Sequence, residues 1–283
     1  MARIAYVNGR YRPLQSEAVA AEDRGYQFAD GVYEVIKVLG GRLCDRERHL
    51  DRLQRSLAAV EIAPPMPRRA LVSVIEETLR RNRLASALVY LQVTRGNAPR
   101  NHVFPKRARP SLVVTVRRPA FPGEREREEG VGVITLPDLR WGRCDIKSIS
   151  LLPNVLARQS AAAAGCREAW LIDRDGMVTE GSASNAYIVD GAGRLVTHPL
   201  GERILGGITR SVVLELARHE GIEVVEQPFS LDEALRAREA ALSSTSSWLL
   251  PVTSIDGRTI SNGMPGHVVR LLMARYAAHL EVA

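Results

Sequence analysis

The sequence predicts an α+β fold with two domains, and three observations lead to that prediction. The chain of 283 residues is long enough for two hydrophobic cores. Strand-like and helix-like hydrophobic patterns occur in both halves, but without the strict strand–helix–strand order of a doubly wound sheet. Between the halves, residues 119–130 combine proline and glycine with a run of charges, as linkers do. We therefore expect a small N-terminal α/β domain at residues 1–118, a linker at residues 119–130 and a larger C-terminal domain at residues 131–283.

The N-terminal half is predicted to contain two hairpins, two helices and two further strands. The dipeptide Asn8-Gly9 is a strong hairpin signal, and the first helix has apolar residues at helical spacing on one face. The predicted strands are Ile4–Val7, a return through Tyr11 to Leu14, Val32–Leu39, Arg42–Cys44, Leu88–Thr94 and Leu112–Val116, and the predicted helices are Arg46–Val60 and Ala70–Asn82.

The C-terminal half is predicted to mix short strands with three helices. Residues 173–176, Asp-Arg-Asp-Gly, have the composition of a turn. The predicted helices are Val155–Gly165, a helix that begins near Thr209, and His267–His279, and the main predicted strands are Val131–Leu136, Ile146–Ser150, Ala169–Ile172, Met177–Thr179, Asn185–Val189, Leu195–Val196, Glu223–Val225, Ala240–Ser243 and Val252–Ile255.

Composition narrows the class of protein. No apolar run reaches the length of a membrane span, and the first residues are too mixed for a signal peptide. Three cysteines without a Cys-x-x-Cys pair indicate neither a disulfide framework nor a zinc site, so we expect a cytoplasmic protein. The net charge is +7, but the arginines are spread along the chain and interleaved with acids, which is typical of a solvated surface and argues against nucleic-acid binding.

Lys147 is the candidate catalytic residue, because it is one of only three lysines among 39 basic residues. A desolvated lysine amine can lose its proton and form an imine with an aldehyde, whereas arginine can do neither. The surrounding residues Ile146–Ser150 alternate like a half-buried strand, and burial lowers the pKa of a lysine. The alternative is a structural lysine that pairs with a carboxylate, and Asp145 is close in sequence.

Three further segments contain groups that could hold a cofactor. Glu180 lies among glycine and small hydroxyl residues, where it either faces a ligand or is a solvated acid in a turn. Residues 205–210 lead through two glycines into a helix, whose start either binds an anion or is capped by Thr209. Residues 243–247 are five hydroxyl residues after a strand, and such a run either binds phosphate or forms a polar loop.

Together these segments match the requirements of one cofactor. Pyridoxal phosphate needs a lysine for its aldehyde, a carboxylate for its ring nitrogen and an anion site for its phosphate. The sequence has no glycine-lysine nucleotide loop, no Gly-x-Gly-x-x-Gly after a strand and no residue spacing typical of a metal site. The sequence therefore predicts a pyridoxal 5'-phosphate enzyme without a metal.

These motifs resemble those of the fold-type-IV pyridoxal-phosphate aminotransferases, a group that includes D-amino-acid, branched-chain and (R)-amine aminotransferases and aminodeoxychorismate lyase. The resemblance covers essentially the whole chain and is closest to the D-amino-acid aminotransferases. It implies the two-domain α+β fold of that group, with pyridoxal phosphate bound by the C-terminal domain. The segments that carry it are Cys144–Ser148, Thr179–Ser182, Gly207–Arg210, Glu22–Phe28, Asp30–Val35, His49–Leu53 and Gln92–Gly96.

The resemblance also implies residue roles. Lys147 would form the aldimine with the cofactor, and Glu180 would pair with its ring nitrogen. The phosphate contacts implied in the same way are Arg52, Ile208, Thr209, Ser244 and Thr245. Arg52 rests on the resemblance alone, because it lies off the apolar stripe of its helix, where an exposed arginine is the usual case.

Substrate binding is expected to involve the loop at residues 96–105. The D-amino-acid enzymes have an Arg-x-His pattern there that binds the substrate α-carboxylate together with a tyrosine, and Arg100, His102 and Tyr33 match it. An arginine fork suits a carboxylate, and a histidine adds a second donor. The alternative is a basic loop tip exposed to water. In the family this loop reaches into the partner subunit's site, so the resemblance implies a homodimer.

The reaction implied by the resemblance is exchange of the amino group between D-amino acids, such as D-alanine, and 2-oxo acids, such as 2-oxoglutarate. Lys147 would act as base and then as acid. An (R)-amine aminotransferase, a branched-chain aminotransferase and an aminodeoxychorismate-lyase-like enzyme stay open as alternatives on the same scaffold, although Arg100 and His102 argue against them. A non-catalytic, basic nucleic-acid-binding protein is the alternative from a different class. Ala183, Gly206 and Trp248 depart from the usual pattern, which leaves the preferred side chain open.

Overall fold

The computed structural model describes residues 3–107 and 109–282, which form two compact units. Unit 1 contains residues 3–107, 109–119 and 146–150, and unit 2 contains Ala120–Asp145 and Leu151–Val282. The Lys147 segment therefore packs with unit 1, although it follows the predicted linker in the sequence. Met1, Ala2, Ala108 and Ala283, which the predicted domain ranges include, lie outside the described residues. None of the described helices is long and apolar enough to cross a membrane.

Unit 1 is built on a six-stranded sheet. Its elements are β1 (Ile4–Val7), β2 (Arg10–Pro13), α1 (Arg24–Phe28), β3 (Gly31–Leu39), β4 (Arg42–Leu43), α2 (Arg46–Ala59), α3 (Arg68–Asn82), β5 (Ala87–Thr94) and β6 (Ser111–Arg117). The strand order is β2-β1-β6-β5-β3-β4, and every neighbouring pair is antiparallel. Helix α2 packs against β3, and α3 packs against β1 and β6.

The core of unit 1 follows from the period of its strands. Val32, Ile36 and Val38 alternate along β3 and are fully buried, as expected for the inward face of a sheet. Leu50 and Leu53 belong to the apolar stripe of α2 and pack into the same core. The sheet face and the helix stripe that the sequence predicts are therefore the two surfaces that bury each other.

Unit 2 is built on a larger, mixed sheet of ten strands. Its elements are α4 (Glu124–Glu128), β7 (Val131–Pro137), α5 (Leu152–Ala163), β8 (Glu168–Ile172), β9 (Met177–Gly181), β10 (Asn185–Val189), β11 (Leu195–Thr197), α6 (Ile208–His219), β12 (Val224–Glu226), β13 (Phe229–Ser230), α7 (Leu231–Arg236), β14 (Glu239–Ser244), β15 (Trp248–Ile255), β16 (Arg258–Thr259) and α8 (His267–Val282). The strand order is β12-β11-β10-β14-β15-β7-β8-β9-β13, with β16 paired to β15.

The centre of this sheet is buried, and helices cover it. Parallel pairing joins β15 to β7 and β7 to β8, while β10, β14 and β15 pair antiparallel. Helix α5 packs against β7 and β8, and α6 and α8 pack against β14 and β15. Trp170 and Phe229 meet edge-to-face in the core, with ring centroids 6.2 Å apart.

Three differences from the sequence predictions concern the site or the linker. Residues Ile146–Ser150 are not a regular strand, because the segment pairs with the start of β3 through an isolated antiparallel bridge between Val32 and Ser148. Glu180 lies at the end of β9 and not in a turn. The predicted linker contains α4, whose start is capped where the Gly123 amide donates to the Glu126 carboxylate at 3.0 Å. The domain boundaries themselves stay a prediction.

Candidate active site

Lys147 in unit 1 is half-buried and its main chain is fixed on both sides. Its carbonyl accepts a hydrogen bond from the Tyr33 amide at 2.9 Å, and its amide donates to the Ser56 hydroxyl at 3.2 Å. The Lys147 Nζ lies 4.2 Å from the centroid of the Tyr33 ring. Asp145 was the possible ion-pair partner of Lys147 in the sequence analysis. In the structure its two carboxylate oxygens accept hydrogen bonds from Arg143. The structure thus brings Lys147 and Tyr33 together, and the carboxylate of Asp145 is paired with Arg143.

Arg52 is buried, so the expectation of an exposed arginine for its position on α2 is wrong. Its Nε and Nη2 donate to Glu34 Oε2 and Oε1 at 2.9 and 2.7 Å, and His49 Nδ1 lies 3.0 Å from Oε1. His49, Arg52 and Ser56 follow one another at i, i+3 and i+7, so they form a second, polar stripe on α2 that is also buried. Glu34 occupies an inward position of β3 between apolar residues.

The charges in this cluster follow from its burial. Burial alone would raise the pKa of Glu34, but the charges and hydrogen bonds of Arg52 and His49 hold that pKa well below its usual range. Burial lowers the pKa of His49, and the Glu34 carboxylate opposes this only in part. At neutral pH the carboxylate is ionised and can only accept, so His49 is a neutral ring that donates from Nδ1. Arg52 then carries the positive charge of the cluster.

Arg100 and His102, the expected carboxylate-binding pair, are both exposed on the loop of unit 1. They contact the same aromatic ring. The Arg100 guanidinium lies 4.6 Å from the Phe28 centroid, and the His102 ring lies 5.1 Å from it. The structure therefore brings these two residues together, as the sequence pattern requires.

Glu180 in unit 2 is buried and accepts hydrogen bonds on both of its carboxylate oxygens. Arg140 Nη1 hydrogen-bonds to Oε1, Asn185 Nδ2 donates to Oε2 at 2.9 Å, and the Leu205 amide donates to the carboxylate at 3.1 Å. The solvated-acid alternative is therefore wrong. Hydrogen bonds to a carboxylate favour its charged form, which is the form needed beside a protonated ring nitrogen.

Arg140 is held in place by a second carboxylate. Asp138 accepts from Arg140 Nε at 2.9 Å and from Nη2 at 2.7 Å, and Thr179 donates to Asp138 at 2.8 Å. Burial alone would lower the pKa of Arg140, but the hydrogen bond to Asp138 and the charges of Glu180 and Asp138 raise it. Arg140 therefore stays charged and keeps a fixed positive group beside Glu180.

Helix α6 begins with the geometry of an anion site. Gly207 is its N-cap and provides no capping side chain, while Thr209 lies inside the helix, 3.3 Å from the hydroxyl of Tyr276. Capping by Thr209 is therefore the wrong alternative. The first N–H groups of a helix have no partner within the helix, and its dipole favours an anion there. The hydroxyl residues Ser244 and Thr245 lie at the turn from β14 to β15 and are half-buried.

Asn185 connects the parts of the candidate site in unit 2. Its Nδ2 bridges Glu180 and the Leu205 carbonyl, both at 2.9 Å. A Cβ on Gly207 would lie 2.1 Å from Asn185 Oδ1, so only glycine allows the chain to pass this close. In the sheet Asn185 pairs with Ser243, next to the hydroxyl residues. The side-chain amide of Asn185 thus binds the carboxylate and the segment before the helix, while its main chain pairs with the strand that leads to the hydroxyl turn.

Sequence reasoning gave no role to several residues of this arrangement. Glu34 could have been found as a charged residue at an inward strand position, and His49 as part of a polar stripe at helical spacing. Arg140, Asp138 and Asn185 gave no such signal, because their partners are distant in the sequence and only the fold brings them together.

Comparison with known proteins gives the family. The model of the family described as "Amino-transferase class IV" matches residues 31–255. The chain is 43% identical to the D-alanine aminotransferase of Bacillus licheniformis over 93% of this chain and 92% of that protein. The chain belongs to the class IV aminotransferases.

Other relatives agree with this family. The D-alanine aminotransferase of Staphylococcus epidermidis is 36% identical over 98% of this chain and 97% of that one. The solved T.th. branched-chain amino acid aminotransferase with pyridoxamine 5'-phosphate has a TM-score of 0.90 and 25% identity, and the match covers 100% of this chain and 96% of that chain. Class IV aminotransferases use pyridoxal phosphate, so the chain is a pyridoxal-phosphate-dependent transaminase with the fold-type-IV α+β architecture.

The residues present fit that cofactor. A lysine amine suits its aldehyde, an ionised carboxylate with fixed donors suits its ring nitrogen, and an uncapped helix start beside a hydroxyl turn suits its phosphate. Gly207 has no side chain to cover the first N–H groups of the helix, and any larger residue there would clash with Asn185.

Proposed function

We propose that this protein transfers the amino group between D-amino acids, such as D-alanine, and 2-oxo acids, such as 2-oxoglutarate. The observation that carries the proposal is the Arg100–His102 pair, which meets on the Phe28 ring in a chain 43% identical to a D-alanine aminotransferase. A guanidinium with an adjacent imidazole is a donor set for a carboxylate, and a simple amine has no group that would use it.

The cofactor contacts are part of the proposal. Bound pyridoxal phosphate supplies an aldehyde for the amino group and a protonated ring that withdraws electrons from the substrate Cα. Lys147 would hold the aldehyde through Nζ, and Glu180 would hold the ring nitrogen. The phosphate contacts that we propose are Arg52, the backbone N–H groups of Ile208 and Thr209, and the hydroxyls of Ser244 and Thr245.

Lys147 also moves the proton in this proposal. With its amine free, Lys147 Nζ would act first as the base that removes the proton from the substrate Cα and then as the acid that gives this proton back. The fixed main chain of Lys147 and the Tyr33 ring restrict where Nζ can reach. We propose that Tyr33 acts with Arg100 and His102 in substrate binding.

A comparison of amino donors tests the substrate class. D-Alanine should bleach the cofactor absorbance of the purified holoenzyme, whereas L-leucine and (R)-1-phenylethylamine should do so at least about a hundredfold more slowly. Arg100→Ala should raise the KM for D-alanine roughly tenfold or more, because the substrate carboxylate loses one charged hydrogen bond.

Arg107→Ala removes an exposed arginine farther along the chain and is the matched control. Its KM for D-alanine should equal that of the wild type. Reaction with L-leucine alone would indicate a branched-chain enzyme, and reaction with the amine alone would show that the carboxylate role of Arg100 is wrong.

A homodimer and a cytoplasmic location complete the proposal. Helix α5 supports the homodimer, because it turns its small residues Ala157 and Ala161 towards the sheet and leaves Leu152, Val155 and Leu156 58–68% exposed. An apolar helix face of this kind is typical of an interface. All three cysteines are unpaired, which is compatible with a reducing compartment.

A further inference from the structure

Arg100 and His102, which the proposal assigns to carboxylate binding, lie on an exposed loop. To bind one carboxylate together, their side chains must be held in fixed directions. Exposed arginine side chains sample many rotamers, and fixing them on binding costs conformational entropy. Two side chains that bind one carboxylate therefore give a higher affinity if the protein orders them before the substrate binds. The residues that could do so are those that Arg100, His102 and their main chain contact.

Phe28, at the end of α1, is the shared side-chain contact. Its ring lies 4.6 Å from the Arg100 guanidinium and 5.1 Å from the His102 ring, tilted by 45° to the latter. The guanidinium of Arg24 lies 4.9 Å from the same ring. An aromatic ring attracts a guanidinium through its quadrupole, so Phe28 restricts where Arg100 can point.

Arg24 holds the main chain of the loop. Its side chain is buried, with Nη1 donating to the Asn101 carbonyl at 2.5 Å and Nη2 to the His102 carbonyl at 3.4 Å. Its amide also donates to the Gly96 carbonyl at 2.9 Å. The planar guanidinium reaches separate acceptors at fixed angles, which a lysine ammonium cannot do.

Asp30 fixes Arg24 in turn. Its Oδ2 accepts from Arg24 Nε at 2.7 Å and from Arg95 Nε at 2.8 Å, and Oδ1 accepts from Arg95 Nη2 at 3.0 Å. Burial alone would raise the pKa of Asp30, but the hydrogen bonds from Arg95 and Arg24 lower it, so the carboxylate is charged at neutral pH. Arg24 is therefore held at one end by Asp30 and holds the loop with the other.

We infer that Arg24 and Phe28 are positioning residues that order Arg100 and His102 for the substrate carboxylate. Arg24 sets the path of the loop main chain, and Phe28 sets the directions of the two side chains. The inference rests on the proposed function, because it assumes that Arg100 and His102 bind that carboxylate.

Kinetics of Phe28→Leu test the inference. Loss of the ring should raise the KM for D-alanine about 3- to 10-fold, with kcat within about twofold, because the ring contacts order binding and not the proton transfer. Phe28→Tyr keeps the ring and should retain the wild-type KM. Tyr26→Leu changes an aromatic residue on the same helix that is 82% exposed, so its kinetics should equal those of the wild type.

A double-mutant cycle separates a positioning role from a merely structural one. If Phe28 acts through Arg100, Phe28→Leu should have little further effect on the KM of Arg100→Ala. Arg24→Lys keeps the charge but loses the planar fork, so it should raise the KM in the same way as Phe28→Leu.

Two results would overturn the inference while leaving the proposed function intact. One is a wild-type KM for D-alanine in both Phe28→Leu and Arg24→Lys. The other is that Phe28→Leu raises this KM by the same factor in the wild-type enzyme and in Arg100→Ala. Failure of the proposed function is distinguishable, because the wild-type enzyme itself would then not react with D-alanine.

Discussion

At the scale of single residues, the most informative observation is that Arg52 is not exposed. It makes two hydrogen bonds to the fully buried Glu34 carboxylate, and the neutral His49 ring contacts the Oε1 atom of the same carboxylate. A guanidinium held by a bidentate carboxylate has a fixed position, which suits a phosphate contact better than a mobile arginine would. Glu34 is thus the partner on which the proposed role of Arg52 depends.

Removing the charge of Glu34 should therefore be costly. Glu34→Gln removes the carboxylate charge that binds the buried Arg52 guanidinium, and breaking such a buried pair typically lowers the free energy of unfolding by about 3–5 kcal/mol. Urea denaturation followed by circular dichroism measures this directly. Glu76→Gln, in an exposed ion pair with Arg46, is the control and should leave the midpoint unchanged. Equal midpoints for the two variants would contradict the assigned importance of the buried pair.

The sequence predicted the candidate residues more readily than their surroundings. Lys147, Glu180 and the helix start were identifiable because rarity, glycine spacing and family motifs mark them. The burial of Arg52 and the partners of Glu180 were not, because hydrogen bonds such as that from Arg140 to Glu180 join residues 40 positions apart. The positions of these groups depend on strand pairing, which local sequence patterns do not encode.

At the scale of elements, the start of α6 is the feature that depends most on a single glycine. The N-cap passes so close to Asn185 that a methyl group would overlap the Oδ1 atom. The same amide holds Glu180, so a shift of the helix start would be transmitted to the carboxylate. A change at the proposed phosphate contacts of α6 should therefore also shift Glu180, the proposed contact of the ring nitrogen.

Gly207→Ala should accordingly weaken cofactor binding. We expect the dissociation constant of the apoenzyme for pyridoxal phosphate to rise about tenfold, since displacing the helix start misaligns its N–H donors. Titration of the apoenzyme followed by absorbance measures it. Gly206→Ala is a close control, because a Cβ there would meet only Leu200 Cδ2 at 3.6 Å. The proposed phosphate site would be contradicted if both variants bound the cofactor like the wild type.

Most regular elements followed the predicted boundaries within a few residues, since their hydrophobic periods are clear. The short helices α1, α4 and α7 were missed because five or six residues give too little periodicity to detect. The Lys147 segment has the alternation of a strand but not the extended pairing of one, because it pairs with β3 through an isolated bridge between Val32 and Ser148.

At the scale of the whole molecule, the exposed face of α5 is the feature to explain. A helix that buries alanines and exposes leucine and valine has its larger apolar residues available to a second copy of the chain. This arrangement supports the proposed homodimer.

Leu156→Arg should separate that dimer. A charge in the centre of an apolar interface is left without a partner, so light scattering should give the mass of one 31.2 kDa chain instead of two. Met264→Arg, at another exposed apolar residue of unit 2, should remain dimeric. If Leu156→Arg still has the mass of two chains, the interface lies elsewhere on the surface. A wild-type mass of one chain would contradict the homodimer itself.

The scarcity of lysine has a consequence for labelling chemistry. Aldehydes and other amine-directed reagents usually modify many surface lysines, which obscures the single amine of interest. Here Lys37 is 2% exposed in the core of unit 1, and Lys106 is the exposed one of the three lysines. Borohydride reduction of the holoenzyme should thus mark Lys147 against a background of only Lys106 and the chain terminus. The labelled fraction of the chains then gives a direct measure of cofactor occupancy.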